Sequence, residues 1–330
     1  MSMVLKEIKD QKVELKTFFE EAVPKIIDHK FLETLKENLE KEFLFLGCGS
    51  SYNLAFIISH YFERVLGVKT KVIPAGEVAF NKASKIPDKG LVFLFSRTGN
   101  TTEVLMAKNI LKRKGYTTVG VTIEQSSKLA KESDFSLVFP IEESAIVMTK
   151  SFNMLLLGFM IIADKLAGNS LKLYEELIDY VGRFFELSER FIKDVSLEKY
   201  DHFVFLGIAE FFGVSLESAL KCIEMSTTFS EAYSTLEYRH GPKALTNENT
   251  LVFIHKVEGM DEQEKKLKKE LENLRATVIE IGENGDVPVP NDWRSAFLRT
   301  IPSHILGYEK AVIKRISPDE PPHLSKTVVL

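Results

Sequence analysis

Short, wholly apolar runs alternate with amphipathic stretches along most of this chain. "EFLFLGCG" (42–49) reads as a buried strand and "SYNLAFIISHYFERVLG" (51–67) as a helix opened by serines and ended by glycine. "KTKVIPA" (69–75) and "KGLVFLFS" (89–96) read as two more strands, the latter followed by the helical pattern "TTEVLMAKNILKRKG" (101–115). "TTVGVTI" (117–123) and "FSLVFP" (135–140) complete a set of five, and "TKSFNMLLLGFMIIADKLAG" (149–168) is a long apolar helix. Strands that are apolar on both faces and alternate with helices imply a parallel sheet covered on both sides.

The pattern then repeats. "FLFLG" at Phe43–Gly47 returns as "FVFLG" at Phe203–Gly207, "LVF" at Leu91 returns at Leu251, and Glu77 matches Glu237, each 160 positions on. "YTTVGVTIE" from Tyr116 faces "RATVIEIGE" from Arg275 with one residue lost. Several matches at one offset, in one order, point to duplication. "SLKLYEELIDYVGRFFELSERFIKD" (170–194) is an amphipathic helix with no counterpart, so it is expected to link the halves. The expected architecture is α/β: two tandem doubly wound parallel-sheet domains, a linking helix and a C-terminal tail. The boundaries read as an N-terminal helical segment 1–35, a first domain 36–170, a linker helix 171–198, a second domain 199–314 and a tail 315–330.

Composition narrows the classes. The 330 residues are 45% hydrophobic and 27% charged, which supports two proper cores. A net charge of -4 offers no general attraction to nucleic acid or an anionic membrane, so neither is expected as a partner. Cys48 and Cys222 show neither disulfide nor metal spacing, and the seven histidines show no ligand spacing either. "MLLLGFMIIA" is too short to span a bilayer, and the N-terminus lacks the apolar core of a signal peptide. A soluble, cytoplasmic protein is expected.

Candidate chemistry sits where the first and third strands turn into helices. "GCGSSY" and "SRTGNTT" bring five hydroxyls (Ser50, Ser51, Ser96, Thr98, Thr101) to places where backbone N–H groups and the helix dipole already favour an anion. Helix capping would use one hydroxyl per helix. The surplus points to phosphate, which takes many donors. A nucleotide is disfavoured: Tyr52 stands where a dinucleotide fingerprint has its third glycine, and no acid ends the second strand to hold a ribose. The second half has "GIAEFF" and "HKVEGMD" at the equivalent loops, with no such hydroxyls. It carries other groups. Glu217, Lys221 and Glu224 share one helix face, although their spacing alone fits an exposed, ion-paired surface better. "EYRHGPKAL" holds Glu237, Arg239 and His240 before a Gly-Pro turn, and "DEPPHLSKTVVL" leaves Lys326 in a tail that composition alone would call loose.

Taken together, these motifs resemble the sugar isomerase (SIS) domain family, closest to the tandem isomerase half of glucosamine-6-phosphate synthase. The family's G-T-S, S-Q-S-G-E-T, A-L-K-x-x-E, E-x-K-H-G-P and L-A-K-S-V read here as "GSS", "SRTGNT", "ALKCIE", "EYRHGP" and "LSKTV", and "LKEIKDQ" is similar to its K-E-I-x-E-Q. The resemblance covers essentially the whole chain and implies a flavodoxin-like fold for each domain. It implies that Ser50, Ser51, Ser96, Thr98 and Thr101 contact a sugar phosphate, with Arg97, in place of a glutamine, adding positive charge. It makes Glu224 the base that moves a proton between C2 and C1, His240 the ring-opening group and Lys326 the amine that forms a Schiff base. It further implies that Lys221 helps with charge near the substrate and that Glu237 and Thr149 are secondary site residues. Asn100 for glutamate and Met148 for serine depart from the pattern near the sugar. The family's histidine reaches into the neighbouring subunit's site, so a homodimer is implied. No metal or organic cofactor is expected.

The glutaminase domain with its N-terminal cysteine does not precede "MSMVLKEI", so ammonia from glutamine is not expected within the chain. The reaction expected is therefore an isomerising deamination of glucosamine 6-phosphate to fructose 6-phosphate and ammonia. A fructosamine-6-phosphate deglycase and a plain phosphosugar isomerase share the same logic. A non-catalytic phosphosugar sensor is the rival from another class.

Overall fold

In the first half of the chain the helices are α1 (Met3–Thr17), α2 (Val23–Ile26), α3 (His29–Lys36), α4 (Ser50–Leu66), α5 (Ala75–Phe80), α6 (Thr102–Arg113), α7 (Lys128–Glu132) and α8 (Lys150–Ala167). Between them run β1 (Phe43–Gly47), β2 (Thr70–Pro74), β3 (Leu91–Phe95), β4 (Thr117–Thr122) and β5 (Phe135–Val138). The computed structural model describes residues 2–26, 29–81, 86 and 89–328. Contacts gather the chain into two units: residues 14–144, 151–173 and 325–330 form the first, and 1–13, 145–150 and 174–324 the second.

The first unit holds a five-stranded parallel sheet in the order β2-β1-β3-β4-β5. Because side chains alternate along a strand, Phe43, Phe45, Phe93 and Phe95 share one face. Phe45 and Phe93 stack at 4.9 Å there, with Phe62 of α4 and Phe159 of α8 set edge-on to Phe93. Leu44, Leu46, Val92 and Leu94 take the other face, against Ala75 and Val78 of α5 and Val104, Ala107 and Leu111 of α6. Each buried Val, Leu or Phe among these contributes roughly 1.5–3 kcal/mol, which is why the apolar runs alone place these strands.

In the second half the elements are α9 (Lys172–Asp194), β6 (His202–Gly207), α10 (Glu210–Ser226), β7 (Phe229–Ser234), β8 (Thr250–His255), α11 (Asp261–Asn273), β9 (Thr277–Ile281), α12 (Ala296–Arg299) and α13 (Ile301–Lys314). Their sheet is parallel with four strands in the order β7-β6-β8-β9. Phe203 pairs with Leu251 as Phe43 pairs with Leu91, and Phe205 stacks on Phe253 at 5.0 Å. The chain is thus α/β with parallel sheets of five and four strands.

The second unit draws in three segments from elsewhere. Helix α9 turns Leu177, Val181, Phe184, Ser188 and Ile192 inward at three- and four-residue spacing. The start of α1 joins as well: the Glu7 carboxylate accepts from Ala145 N–H at 3.2 and 3.3 Å, and Asp10 pairs with Lys150 at 3.7 Å. The acids of "LKEIKDQ" thereby fix the strip 145–150. Among the described residues, no helix is long and apolar enough to cross a membrane.

Two glycines bring helices hard against their strands. A Cβ on Gly47 would lie 2.4 Å from the Ser51 carbonyl oxygen, and one on Gly207 2.3 Å from that of Phe211. Both turns then use a positive φ, at Gly49 (φ 55°, ψ -128°) and Ala209 (φ 48°, ψ -123°).

Candidate active site

In a sheet ordered 2-1-3-4-5, neighbouring strands β1 and β3 send their connections to opposite faces, and ligands bind beyond their carboxyl ends. Both hydroxyl-rich turns of the first unit stand there. Ser50 and Ser51 open α4, each 9% exposed. Ser96 follows β3, and its hydroxyl lies 2.9 Å from that of Thr101. Gly99, at φ 62°, closes the turn with its N–H on the Ser96 carbonyl at 3.0 Å. The N-cap positions of α4 and α6 are Gly49 and Thr101, and neither makes a side-chain cap bond. Capping therefore does not account for these hydroxyls. Cys48 shares the first turn, but burial, reinforced by Glu103, pushes its thiol up to about 11, so it is neutral.

Arg97 is half of a buried ion pair. Its Nη1 donates to Glu143 Oε2 at 2.9 Å, with side chains 7% and 0% exposed. The guanidinium charge is thus already matched by a carboxylate. Ser151 completes the cluster, donating its N–H to Glu143 Oε1 at 3.2 Å and its hydroxyl to Oε2.

The tail is ordered against this loop. Lys326 Nζ donates to the Glu143 main-chain oxygen at 2.7 Å, and the Thr327 hydroxyl donates to that of Thr98 at 3.0 Å. Thr102 N–H reaches the Val328 carbonyl at 3.5 Å. Composition would leave this segment loose; these bonds place a half-buried amine beside the hydroxyl loop.

In the second unit, the face of α10 that carries Glu217, Lys221 and Glu224 is buried rather than exposed. Lys221 and Glu217 have no side-chain exposure and lie 3.3 Å apart, while Glu224, 20% exposed, takes a closer bond from the same ammonium. Burial alone would lower the Lys221 pKa; the two carboxylates outweigh it and hold the ammonium above its ordinary value. One cation between two anions leaves Glu224 as the carboxylate with access to solvent. Glu237 and His240 are both exposed, Glu237 opening a short 3-10 turn at 237–239 and His240 capping its end. That turn is anchored by buried Tyr238, whose hydroxyl lies 2.8 Å from that of Thr246. Glu270 of α11 clamps it further, accepting from Arg239 at 3.1 and 3.2 Å and from Lys243 at 2.9 Å. Thr149 is buried in the strip 145–150.

The structure thus gathers Ser50, Ser51, Ser96, Arg97, Thr98, Thr101 and Lys326 in one unit, and Thr149, Lys221, Glu224, Glu237 and His240 in the other. Glu143 is the residue that sequence reasoning missed. Its signal was the acid pair Glu142–Glu143 between the apolar runs "VFPI" and "AIVM", since an acid buried among such neighbours demands a cation.

The sequence profile of the SIS domain matches residues 39–163. A glucosamine-6-phosphate deaminase of known structure from Thermotoga maritima is 64% identical, covers 100% of both chains and superposes with a TM-score of 0.93. The chain belongs to the SIS domain family. A glutamine–fructose-6-phosphate aminotransferase (isomerizing) from Pseudomonas aeruginosa is 30% identical over 314 residues, which is 86% of this chain and 51% of that protein. The chain spans about half the length of the curated relatives it matches. The C-terminal domain of glucosamine-fructose-6-phosphate aminotransferase from Francisella tularensis shares the fold, at 22% identity, a TM-score of 0.80, and coverage of 97% and 98% of the two chains. These SIS relatives are enzymes, and this chain is one too.

Proposed function

We propose that this chain is an isomerising glucosamine-6-phosphate deaminase, converting glucosamine 6-phosphate and water to fructose 6-phosphate and ammonia. The observation that carries the reading is the amine of Lys326 held beside the hydroxyl loop 96–101. The deaminase from Thermotoga maritima, 64% identical along the full chain, supports the substrate.

The hydroxyls of Ser50, Ser51, Ser96, Thr98 and Thr101 hold the phosphate, helped by the dipoles of α4 and α6. His240 carries the proton that opens the sugar ring, a task suited to imidazole. Glu224 removes the C2 proton of the open aminoaldose and returns it to C1, so the C2 amine becomes a ketimine. The tail amine of Lys326 adds to that C2 and expels ammonia, and water then hydrolyses the lysine imine to fructose 6-phosphate.

The two sheets are read as diverged copies of one domain, the first binding phosphate and the second supplying acid and base. The matched pairings of Phe43 with Leu91 and Phe203 with Leu251 support this. Exposed His240 fits a homodimer in which it serves the neighbouring subunit, and a cytoplasmic setting belongs to the same proposal.

The test is to incubate the full chain with glucosamine 6-phosphate and follow both products. Ammonia and fructose 6-phosphate are expected in equal amounts, and Glu224→Gln is expected to lower kcat by ~10²–10⁴-fold, the usual share of a general base. Release of neither product by the unaltered chain would sink the reading.

A further inference from the structure

Glu143 lies between β5 and α8 and takes no part in the chemistry above. Its side chain is wholly buried, with both oxygens engaged: Oε2 by Arg97 at 2.9 Å and by the Ser151 hydroxyl, Oε1 by Ser151 N–H at 3.2 Å. A buried ion pair is a poor route to stability, because desolvation cancels much of the Coulomb gain. What it does supply is fixed geometry.

Two things are fixed here. Arg97 is the second residue of the hydroxyl loop, and its main-chain oxygen is also tied down, by Thr122 Oγ1 at 2.8 Å and Ile123 N–H at 3.1 Å. Held at side chain and backbone, Arg97 sets the position of Ser96 and Thr98 on either side. The main-chain oxygen of Glu143 meanwhile accepts from Lys326 Nζ at 2.7 Å. We propose that Glu143 is a positioning residue: its carboxylate sets the hydroxyl loop through Arg97, and its backbone oxygen sets the amine of Lys326. The meaning of that amine rests on the deaminase reading; the mechanical link does not.

Glu143→Gln in the full chain tests this with three readouts: kcat and KM for ammonia release, calorimetric affinity for glucosamine 6-phosphate, and trypsin cleavage after Lys326 followed by mass. The variant is expected to weaken affinity about tenfold and lower kcat by a further tenfold or more. Cleavage after Lys326 is expected to accelerate, because the main-chain oxygen that accepts from Lys326 is no longer anchored by a carboxylate on Arg97 and Ser151. A variant that only melts earlier, with all three readouts at their unaltered values, overturns the proposal. Should Glu143→Gln fail to fold, Ser151→Ala removes one bond to the same carboxylate; smaller changes in the same directions are expected, and unaltered values again overturn it. If the unaltered chain releases no ammonia, the deaminase reading fails alone, and affinity and cleavage still decide the role of Glu143.

Discussion

Lys221 shows at the residue scale how burial changes the meaning of a charge pattern. The spacing of Glu217, Lys221 and Glu224 puts them on one face of α10 but does not say what covers that face. The structure covers it: the Glu217 and Lys221 side chains have no exposure, and Glu224 keeps only 20%. In this buried setting Lys221→Met takes from Glu217 the cation 3.3 Å away. The expected loss is about 3–5 kcal/mol of unfolding free energy, measured by urea titration. A loss below about 1 kcal/mol would return the trio to the class of exposed surface pairs. Glu143 teaches the same lesson, since its partner Arg97 is 46 positions away in sequence and only the fold brings them together.

At the scale of elements, the apolar runs are sufficient to place β1, β3, β6 and β8, because strands buried on both faces leave little other reading. The turn after β6 is not legible in the same way. Gly49 announces a positive φ in the first unit, while its counterpart Ala209 takes nearly the same backbone conformation with a Cβ in the way. Such strain costs roughly 1–3 kcal/mol, part of which a glycine gives back through the freedom it adds to the unfolded chain. Ala209→Gly is therefore expected to stabilise by about 1 kcal/mol and to raise Tm by roughly 2 °C. Thermal unfolding at fixed pH checks it, and a fall in Tm would contradict the strain. Composition misjudges the tail for a related reason. Its order comes from bonds to Thr98, Thr102 and Glu143, none of which its own polar sequence reveals.

For the molecule as a whole, stability and pH are linked through Glu264 of α11. Burial, only partly offset by the Val257 N–H bond, pushes its carboxyl up from 4.5 to about 7. The native state then binds more protons than the unfolded chain between those values, so this contribution is full below 4.5 and is lost as pH rises toward 7. The whole effect is at most roughly 3 kcal/mol. Denaturation midpoints of the unaltered chain minus those of Glu264→Gln are expected to fall across that window and stay level above it. A difference that rises with pH would contradict the assignment.

The central claim is that the tail amine enters the reaction covalently. The measurement that tests it most directly is borohydride reduction of the chain during turnover of glucosamine 6-phosphate, followed by peptide mapping. The account expects a reduced phosphosugar adduct on Lys326, absent from Lys326→Ala, which also loses ammonia release. Full turnover by Lys326→Ala, or an adduct on another lysine, would contradict it.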